Sequence, residues 1–226
     1  MEVNNLQKTL DWYRDRLGKI TGSCVSEIMK SGRGKDEVFG KTAKAYLYKL
    51  WAQRNMAPEL IDDDTTFEEY LDCENPTSKA MSNGIDREPE AREIYKTLTN
   101  SNVVTQVGSF VHSQLDYFAA SPDGLVEENG VVIGCLEIKS PMQATYGLYR
   151  ASIKDNATLL SEKPEYFWQC MAEMACTDAR WTDFIVYCPW QLEPEFITRI
   201  DRDNDAIAVM LDRVKLAEEF INNIKE

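Results

Sequence analysis

The sequence predicts a mixed α/β fold in a single domain over residues 1–226. Two observations support this class: apolar residues at helical spacing dominate the first hundred residues, and runs rich in β-branched and aromatic residues begin at residue 103. In addition, helical spacing returns between and after the later strands. We therefore expect a helical N-terminal part, about residues 1–100, followed by a sheet-containing core, about residues 101–226.

Four segments have the apolar spacing of helices. In the third of them, Phe167, Cys170, Met171 and Met174 recur at i, i+3, i+4 and i+7, which places them on one face. In the second, Pro89 is expected in the first turn, where proline is tolerated. The predicted helices cover residues 41–56, 88–98, 163–176 and 203–225. The acidic residues 57–66 predict a loop between the first two helices.

The strands are predicted from runs of apolar and β-branched residues. These runs are residues 103–111, 115–120, 124–126, 131–139, 182–188 and 196–200. The dipeptide Asn129-Gly130 lies between two of the runs and is typical of a tight hairpin turn. We therefore expect a mostly antiparallel sheet in which the segments on either side of this turn pair.

The charge of the chain limits the class of its partners. A net charge of -13 argues against a general binder of polyanions. Residues 1–60 nevertheless hold 11 basic and 7 acidic residues, whereas the rest of the chain holds 14 basic and 31 acidic residues. Any contact with nucleic acid should therefore be local and involve the N-terminal segment. The alternative is that these early lysines simply lie on the solvent-exposed faces of helices.

The cysteines and the hydropathy pattern exclude several other classes. No apolar run approaches the roughly 18 residues of a membrane-spanning helix, and the first residues lack the apolar stretch of a secretory signal. The six cysteines have no CxxC spacing, and His112 is the only histidine. We therefore expect reduced thiols and neither a zinc nor an iron–sulfur site.

Two short motifs have the composition of a metal-dependent hydrolytic site. Ser121-Pro122-Asp123-Gly124 is followed by Glu137-Ile138-Lys139, and thirteen residues separate Asp123 from Glu137. A hairpin between them would bring both carboxylates to one end, and strand alternation would place Glu137 and Lys139 on the same face. Carboxylates and the Ile138 carbonyl are hard oxygen ligands that suit Mg²⁺ or Mn²⁺. Taken singly, the first motif is an ordinary turn and the second an exposed, salt-bridged strand face.

The combination indicates phosphodiester hydrolysis. A divalent cation polarises a phosphoryl oxygen and makes its bound water more acidic. A lysine beside that water can orient it, act as a base if its pKa falls, or stabilise charge that develops on phosphorus.

These motifs resemble those of the PD-(D/E)xK nuclease superfamily and, more specifically, those of the YqaJ-type viral recombinases and the exonuclease of bacteriophage lambda. The matching residues run in the same order from residue 12 to residue 169: Trp12, Arg16-Leu17-Gly18, Ile20-Thr21, Ser23, Gly84, Glu88, Ala91-Arg92, Ser121 to Leu125, Glu137-Ile138-Lys139 and Gln169. The resemblance implies a restriction-endonuclease-like core with a central mixed β-sheet flanked by helices.

The resemblance also implies roles for the residues of the motifs. Asp123, Glu137 and the Ile138 carbonyl would hold Mg²⁺, with Mn²⁺ as a substitute, and Lys139 would position or activate the attacking water. Glu88 would help from the preceding helix, although an acid in a first helical turn is also favoured by the helix dipole alone.

Four further residues receive roles in the same way. Gln169 would contact the nucleophilic water or the scissile phosphate, its alternative being an amide on a helix surface. Arg16, Ser23 and Ser121 resemble a pocket for the 5′-terminal phosphate, which a guanidinium and two hydroxyls would bind. The alternatives for this pocket are a surface arginine and a simple helix cap.

The activity implied by the resemblance is that of a Mg²⁺-dependent 5′→3′ exonuclease on double-stranded DNA ends. It would release mononucleotides and leave 3′ single strands for phage-type recombination by strand annealing. A ring-shaped homo-oligomer, often a trimer, and a single-strand annealing protein of phage type are implied as well, in the cytoplasm of a bacterial host and without a membrane. The alternatives are a structure-selective or restriction-type endonuclease, or a catalytically dead module that binds DNA ends.

Overall fold

The computed structural model describes residues 6–32, 34, 37–74, 79–104 and 107–224, with the side chains of residues 79–86 outside the description. Its N-terminal part is mainly helical. The elements are α1 (Leu10–Arg16), strand β1 (Ile20–Thr21), a one-turn 3₁₀ helix (Gly22–Cys24), α2 (Val25–Met29), α3 (Lys41–Arg54), α4 (Pro58–Asp62), α5 (Asp64–Glu74) and α6 (Lys79–Thr99).

Two sequence predictions in this part are wrong. Residues 57–66 are not a loop, because Pro58 opens α4 at a position where its missing N–H costs nothing. The Asp63 side chain then accepts a hydrogen bond from the Thr66 N–H at 2.8 Å at the start of α5. Helix α6 begins at Lys79, so Pro89 lies inside the helix and not in its first turn.

The strands of the core form two mixed sheets. The strands are β2 (Val103–Val104), β3 (Phe110–His112), β4 (Leu115–Ala120), β5 (Gly124–Glu128), β6 (Val131–Lys139), β7 (Trp181–Tyr187) and β8 (Glu195–Asp201). One sheet has the order β1-β4-β3 and the other the order β2-β5-β6-β7-β8. The β1–β4 and β6–β7 pairs are parallel and the other four pairs are antiparallel. The strand pairing is therefore mostly antiparallel, as predicted.

The predicted hairpin is present. Strands β5 and β6 pair antiparallel on either side of Asn129 and Gly130, whose φ angles of 53° and 76° suit a tight hairpin turn. The run predicted over residues 103–111 is instead divided between β2 and β3, which belong to different sheets. Residues 105–106 of that run lie outside the described residues.

Three helices connect the parallel strands β6 and β7, because a parallel pair needs a long crossover. They are α7 (Gln143–Ser152), α8 (Asn156–Glu162) and α9 (Pro164–Thr177), and α10 (Asn204–Asn222) follows β8. Sequence analysis predicted only α9 and α10. Helix α10 ends at Asn222, so the predicted continuation of the last helix to residue 225 is wrong.

Helices cover both faces of the five-stranded sheet. Ala91 and Tyr95 of α6 pack with Leu136 and Ile138 on one face. On the other face, Phe167 and its neighbours in α9 belong to the main core, together with the β6 and β7 residues that alternate with the first set. The side chains of β6 that face α9 are therefore enclosed between sheet and helix.

All six cysteines are free thiols, as expected. None of the helices in the described part of the chain combines the length and the apolar character needed to cross a bilayer.

Candidate active site

The β5–β6 hairpin brings Asp123 and Glu137 together at one end. Gly124 pairs with Leu136 in the antiparallel register, so Asp123 and Glu137 face each other one residue beyond that pair. The Asp123 N–H donates a hydrogen bond to the Leu136 carbonyl at 2.9 Å, and the Ile138 N–H donates one to Asp123 Oδ2 at 2.7 Å. The main chain of β6 therefore holds the Asp123 carboxylate in place.

Strand alternation arranges the second motif as expected. Ile138 packs into the apolar cluster under α6, whereas Glu137 and Lys139 lie on the face that α9 covers. Glu137 is 1% exposed and Lys139 is 25% exposed, and Lys139 Nζ forms an ion pair with Glu137 Oε1. The amine also lies 4.8 Å from the centre of the Tyr166 ring. The lysine is thus confined beside the carboxylates and keeps partial access to solvent.

Glu173 is a further acid of this site that sequence analysis missed. It lies on α9, one helical turn after Gln169, and is 0% exposed. As carboxylates, Glu173 and Glu137 can only accept hydrogen bonds, so the Glu173 oxygens are paired only when one of these two acids is protonated and donates to the other. Glu137 also forms the ion pair with Lys139. The i, i+4 spacing from Gln169, and the position of an acid inside the otherwise apolar run of residues 170–176, were signals that could have identified Glu173.

The electrostatics of the site are dominated by excess negative charge. Burial raises the pKa of Asp123 well above its usual value, and the charges of Glu137 and Glu88 raise it further. Burial, and then the charge of Glu137, likewise raise the pKa of Glu173. Burial alone would lower the pKa of Lys139, but the charges of Glu137 and Asp123 prevail and raise it. The amine is therefore a cation in this arrangement, and the carboxylates favour binding of additional positive charge.

A cavity of about 150 Å³ joins this site to the N-terminal helices. Its lining includes the acidic end of the site and the predicted phosphate-binding residues: Gln7, Trp12, Arg16, Gly22, Ser23, Ala120, Ser121, Asp123, Gln169 and Glu173. The structure therefore gathers residues from α1, the 3₁₀ helix, the β4–β5 connection and α9 around one space. Gln169 lines this cavity, which argues against a simple helix-surface amide.

Arg16 lies at the cationic end of the cavity. Its guanidinium stacks over the Trp12 ring at 4.2 Å and donates hydrogen bonds to Ser121 Oγ at 2.9 Å and Ser23 Oγ at 3.4 Å. The Trp12 Nε1–H also donates to Ser121 Oγ, at 3.1 Å. No carboxylate of the described residues forms an ion pair with Arg16, and the guanidinium lines the cavity, so its charge is available to an anion there.

Glu88 lies beside this group and does not line the cavity. It forms ion pairs with Lys8 at 2.8 Å and Arg92 at 3.9 Å. Arg92 also donates a hydrogen bond to the Asp123 carbonyl at 3.2 Å, which ties α6 to the hairpin. Because α6 starts at Lys79, Glu88 is not a first-turn acid, and the helix-dipole alternative is wrong.

The donor set fits a divalent cation. Within the described ranges, no three His, Cys, Asp or Glu side chains form a ready-made metal cluster. The groups that would hold a cation are the Asp123 and Glu137 carboxylates and the Ile138 carbonyl, which are all hard oxygen ligands. The buried carboxylate of Glu137, which forms an ion pair with Lys139, would gain a further cationic partner in this way.

Comparisons with known proteins agree with this architecture. The family model described as a YqaJ-like viral recombinase domain matches residues 11–180. The crystal structure of the alkaline exonuclease LHK-Exo from Laribacter hongkongensis is similar, with 30% identity, a TM-score of 0.74, and coverage of 95% of this chain and 93% of that chain. The structure of LHK-Exo in complex with dAMP has a TM-score of 0.75, with the same identity and coverage.

A more distant structure shares the fold. A phage-related exonuclease from Haemophilus somnus 129PT has a TM-score of 0.62 at 14% identity and covers 90% of this chain and 93% of that chain. No curated protein sequence matches. The mixed α/β fold and the resemblance predicted from the sequence are thus confirmed. The chain belongs to the YqaJ-like viral recombinase family.

Proposed function

We propose that the protein is a metal-dependent 5′→3′ exonuclease that acts on double-stranded DNA ends. One observation carries this proposal: Asp123, Glu137 and Lys139 converge at the end of one hairpin, beside a cavity whose other end holds Arg16. Membership of the YqaJ-like family and similarity to an alkaline exonuclease over 95% of the chain support a nuclease.

The proposed chemistry divides the work among the residues of the site. Mg²⁺, with Mn²⁺ as a substitute, would be held by Asp123, Glu137 and the Ile138 carbonyl and would polarise the scissile phosphoryl group. Lys139, kept cationic by its acidic neighbours, orients the attacking water and stabilises negative charge on phosphorus. Gln169 contacts the water or the phosphate, and Glu88 supports the hairpin side through Arg92.

The polarity of degradation follows from the second end of the cavity. Arg16, Ser23 and Ser121 offer a guanidinium and hydroxyls to a 5′-terminal phosphate. The Trp12 ring stacks against the guanidinium and holds it in place. Binding the 5′ end at a fixed distance from the cation site would release one nucleotide per cut. LHK-Exo has been crystallised with dAMP, a mononucleotide, which supports this product.

The proposal includes partners that follow from the family resemblance. A ring-shaped homo-oligomer, a trimer by resemblance, would enclose the duplex, so a chain of net charge -13 could hold DNA by topology. The 3′ single strands would pass to a phage-type single-strand annealing protein in the bacterial cytoplasm.

A time course with end-labelled linear duplex and Mg²⁺ tests the activity and its direction. Release of the 5′ label as a mononucleotide should precede release of the 3′ label, and covalently closed circular DNA should stay intact. Cleavage of the circle would indicate an endonuclease. No cleavage of any duplex with Mg²⁺ or Mn²⁺ would indicate a module that only binds DNA ends.

The phosphate pocket has its own test. Wild-type protein should degrade 5′-phosphorylated duplex faster than 5′-hydroxyl duplex, and Arg16→Ala should bring the two rates close together. Lys19→Ala, which removes a cation just after the same helix, serves as the control and should keep the preference. Equal rates on both substrates in the wild type would contradict the pocket and leave the nuclease proposal intact.

A further inference from the structure

Glu173 is placed where an acid is unexpected. The helix α9 buries Phe167, Cys170, Met171 and Met174 in the main core, and Glu173 is as fully enclosed as they are. An ionised carboxylate at such a position is costly unless it is paired. When it is ionised, neither of its oxygens accepts a hydrogen bond from the described residues, except from Glu137 in its protonated form. Packing of α9 alone would favour an apolar residue, so the acid calls for a functional explanation.

Its surroundings point to the cation site. Glu173 lines the same cavity as Asp123, and Glu137 is the neighbouring charge with the largest effect on it. Asp123, Glu137 and Glu173 together carry three negative charges when ionised, and Lys139 is the cation paired among them. Glu88 is compensated separately by Lys8 and Arg92. Counted over these three acids and Lys139 alone, two negative charges remain when all are ionised, and a bound divalent cation would neutralise them.

We propose that Glu173 is a positioning residue of the cation site, which completes the negative charge around a bound divalent cation from the α9 side. It acts through Glu137 and through the field in the enclosed space, because its side chain does not form a ready-made cluster with the other acids. This inference rests on the proposed function and adds a residue outside the two motifs. Outer residues of this kind typically change metal affinity by about 10- to 100-fold.

Calorimetric titration of Mn²⁺ into the full chain without DNA tests the inference. Glu173→Gln keeps the shape of the side chain and removes its charge, and it should weaken Mn²⁺ binding by about tenfold or more. The matched control is Glu165→Gln, which removes a half-exposed acid from the first turn of the same helix. The control should bind Mn²⁺ within about twofold of the wild type.

A second variant protects the test against a failure to fold. Glu173→Met fills the same space with an apolar side chain, a replacement that often preserves or increases stability at buried charged positions. It should lose Mn²⁺ affinity as Glu173→Gln does, and the rise in Tm that Mn²⁺ produces should shrink in both variants. Folded variants with wild-type Mn²⁺ affinity would overturn the role of Glu173 alone. A wild-type protein that binds no Mn²⁺ would overturn the metal dependence of the proposed function as well.

Discussion

The main-chain amide of Ile138 donates a hydrogen bond to the Asp123 carboxylate across the end of the β5–β6 hairpin, at 2.7 Å. This bond couples the position of a candidate metal ligand to the register of the hairpin. The same register places Asp123 opposite Glu137. A shift of one residue would turn the side chains of β6 to the other face and separate the two acids.

Because of the Asp123–Ile138 hydrogen bond, two substitutions of Asp123 should differ in their effect on stability. Asp123→Asn keeps an acceptor for the Ile138 amide and removes a buried charge, so without metal it should be at least as stable as the wild type. Asp123→Ala leaves that amide unpaired and should be less stable than Asp123→Asn by about 1–3 kcal/mol. Urea unfolding in the presence of a chelator measures both.

Cleavage assays complete this comparison. Both variants should lose DNA cleavage by at least about 100-fold, because each removes a charged ligand. Asp116→Asn, at an exposed position of β4, is the control and should leave stability and cleavage unchanged. If Asp123→Asn cleaved DNA as fast as the wild type, the assignment of Asp123 as a metal ligand would be wrong.

Lys139→Ala should separate catalysis from cation binding. The substitution leaves Glu137 buried without its ion pair, which should cost about 2 kcal/mol of unfolding free energy without metal. This cost is below that of a fully buried pair because the lysine side chain is 25% exposed. Cleavage should fall by about 100-fold or more, whereas Mn²⁺ affinity should not fall, since a competing positive charge is gone.

Denaturant unfolding, calorimetry and a nuclease assay measure the three effects. Lys96→Ala is the control, because Lys96 forms an ion pair with Glu93, one helical turn earlier on the surface of α6. Retained cleavage in Lys139→Ala would contradict its catalytic assignment.

Glu195 should make stability depend on pH. Burial raises the pKa of this carboxyl from 4.5 to about 7, and its oxygens lack hydrogen-bond partners among the described residues. The folded protein therefore holds this proton more tightly than the unfolded chain does. The resulting stabilisation is complete below about pH 4.5 and is lost as the pH rises through about 7.

Glu195→Gln removes this dependence. The unfolding free energy of the variant minus that of the wild type should rise between about pH 4.5 and about pH 7 and be flat on either side. Glu162→Gln, at the exposed end of α8, should show no such step. A flat difference for Glu195→Gln would show that the carboxyl is hydrated in solution.

Two glycines of the core elements should respond in opposite directions to alanine. A Cβ at Gly134 would overlap the Trp181 ring on the neighbouring strand, and that ring is held by the Arg199 guanidinium at 3.9 Å. Gly134→Ala should therefore destabilise the protein by about 1–3 kcal/mol. Gly147 lies in α7, where a Cβ would meet no atom within 4 Å apart from its chain neighbours and the backbone of its own helix, so Gly147→Ala should stabilise by up to about 1 kcal/mol. Thermal unfolding of both variants measures the difference, and equal Tm values would contradict the steric argument.

The sequence by itself determined the local part of the site. The Asn129-Gly130 turn sets the hairpin, the spacing of the two motifs places Asp123 opposite Glu137, and alternation puts Glu137 and Lys139 on one face. These relations depend on turn geometry and on the two-residue period of a strand, which neighbouring residues control.

Only the tertiary structure decided what surrounds the hairpin. The burial of Glu173 and the ion pairs of Glu88 with Lys8 and Arg92 depend on how α9, α6 and the N-terminal segment pack. So do the meeting of Arg16 with Ser121 in one cavity and the parallel pairing of β6 with β7. No periodicity encodes such contacts, because they join residues far apart in the chain and arise when separate apolar faces bury one another.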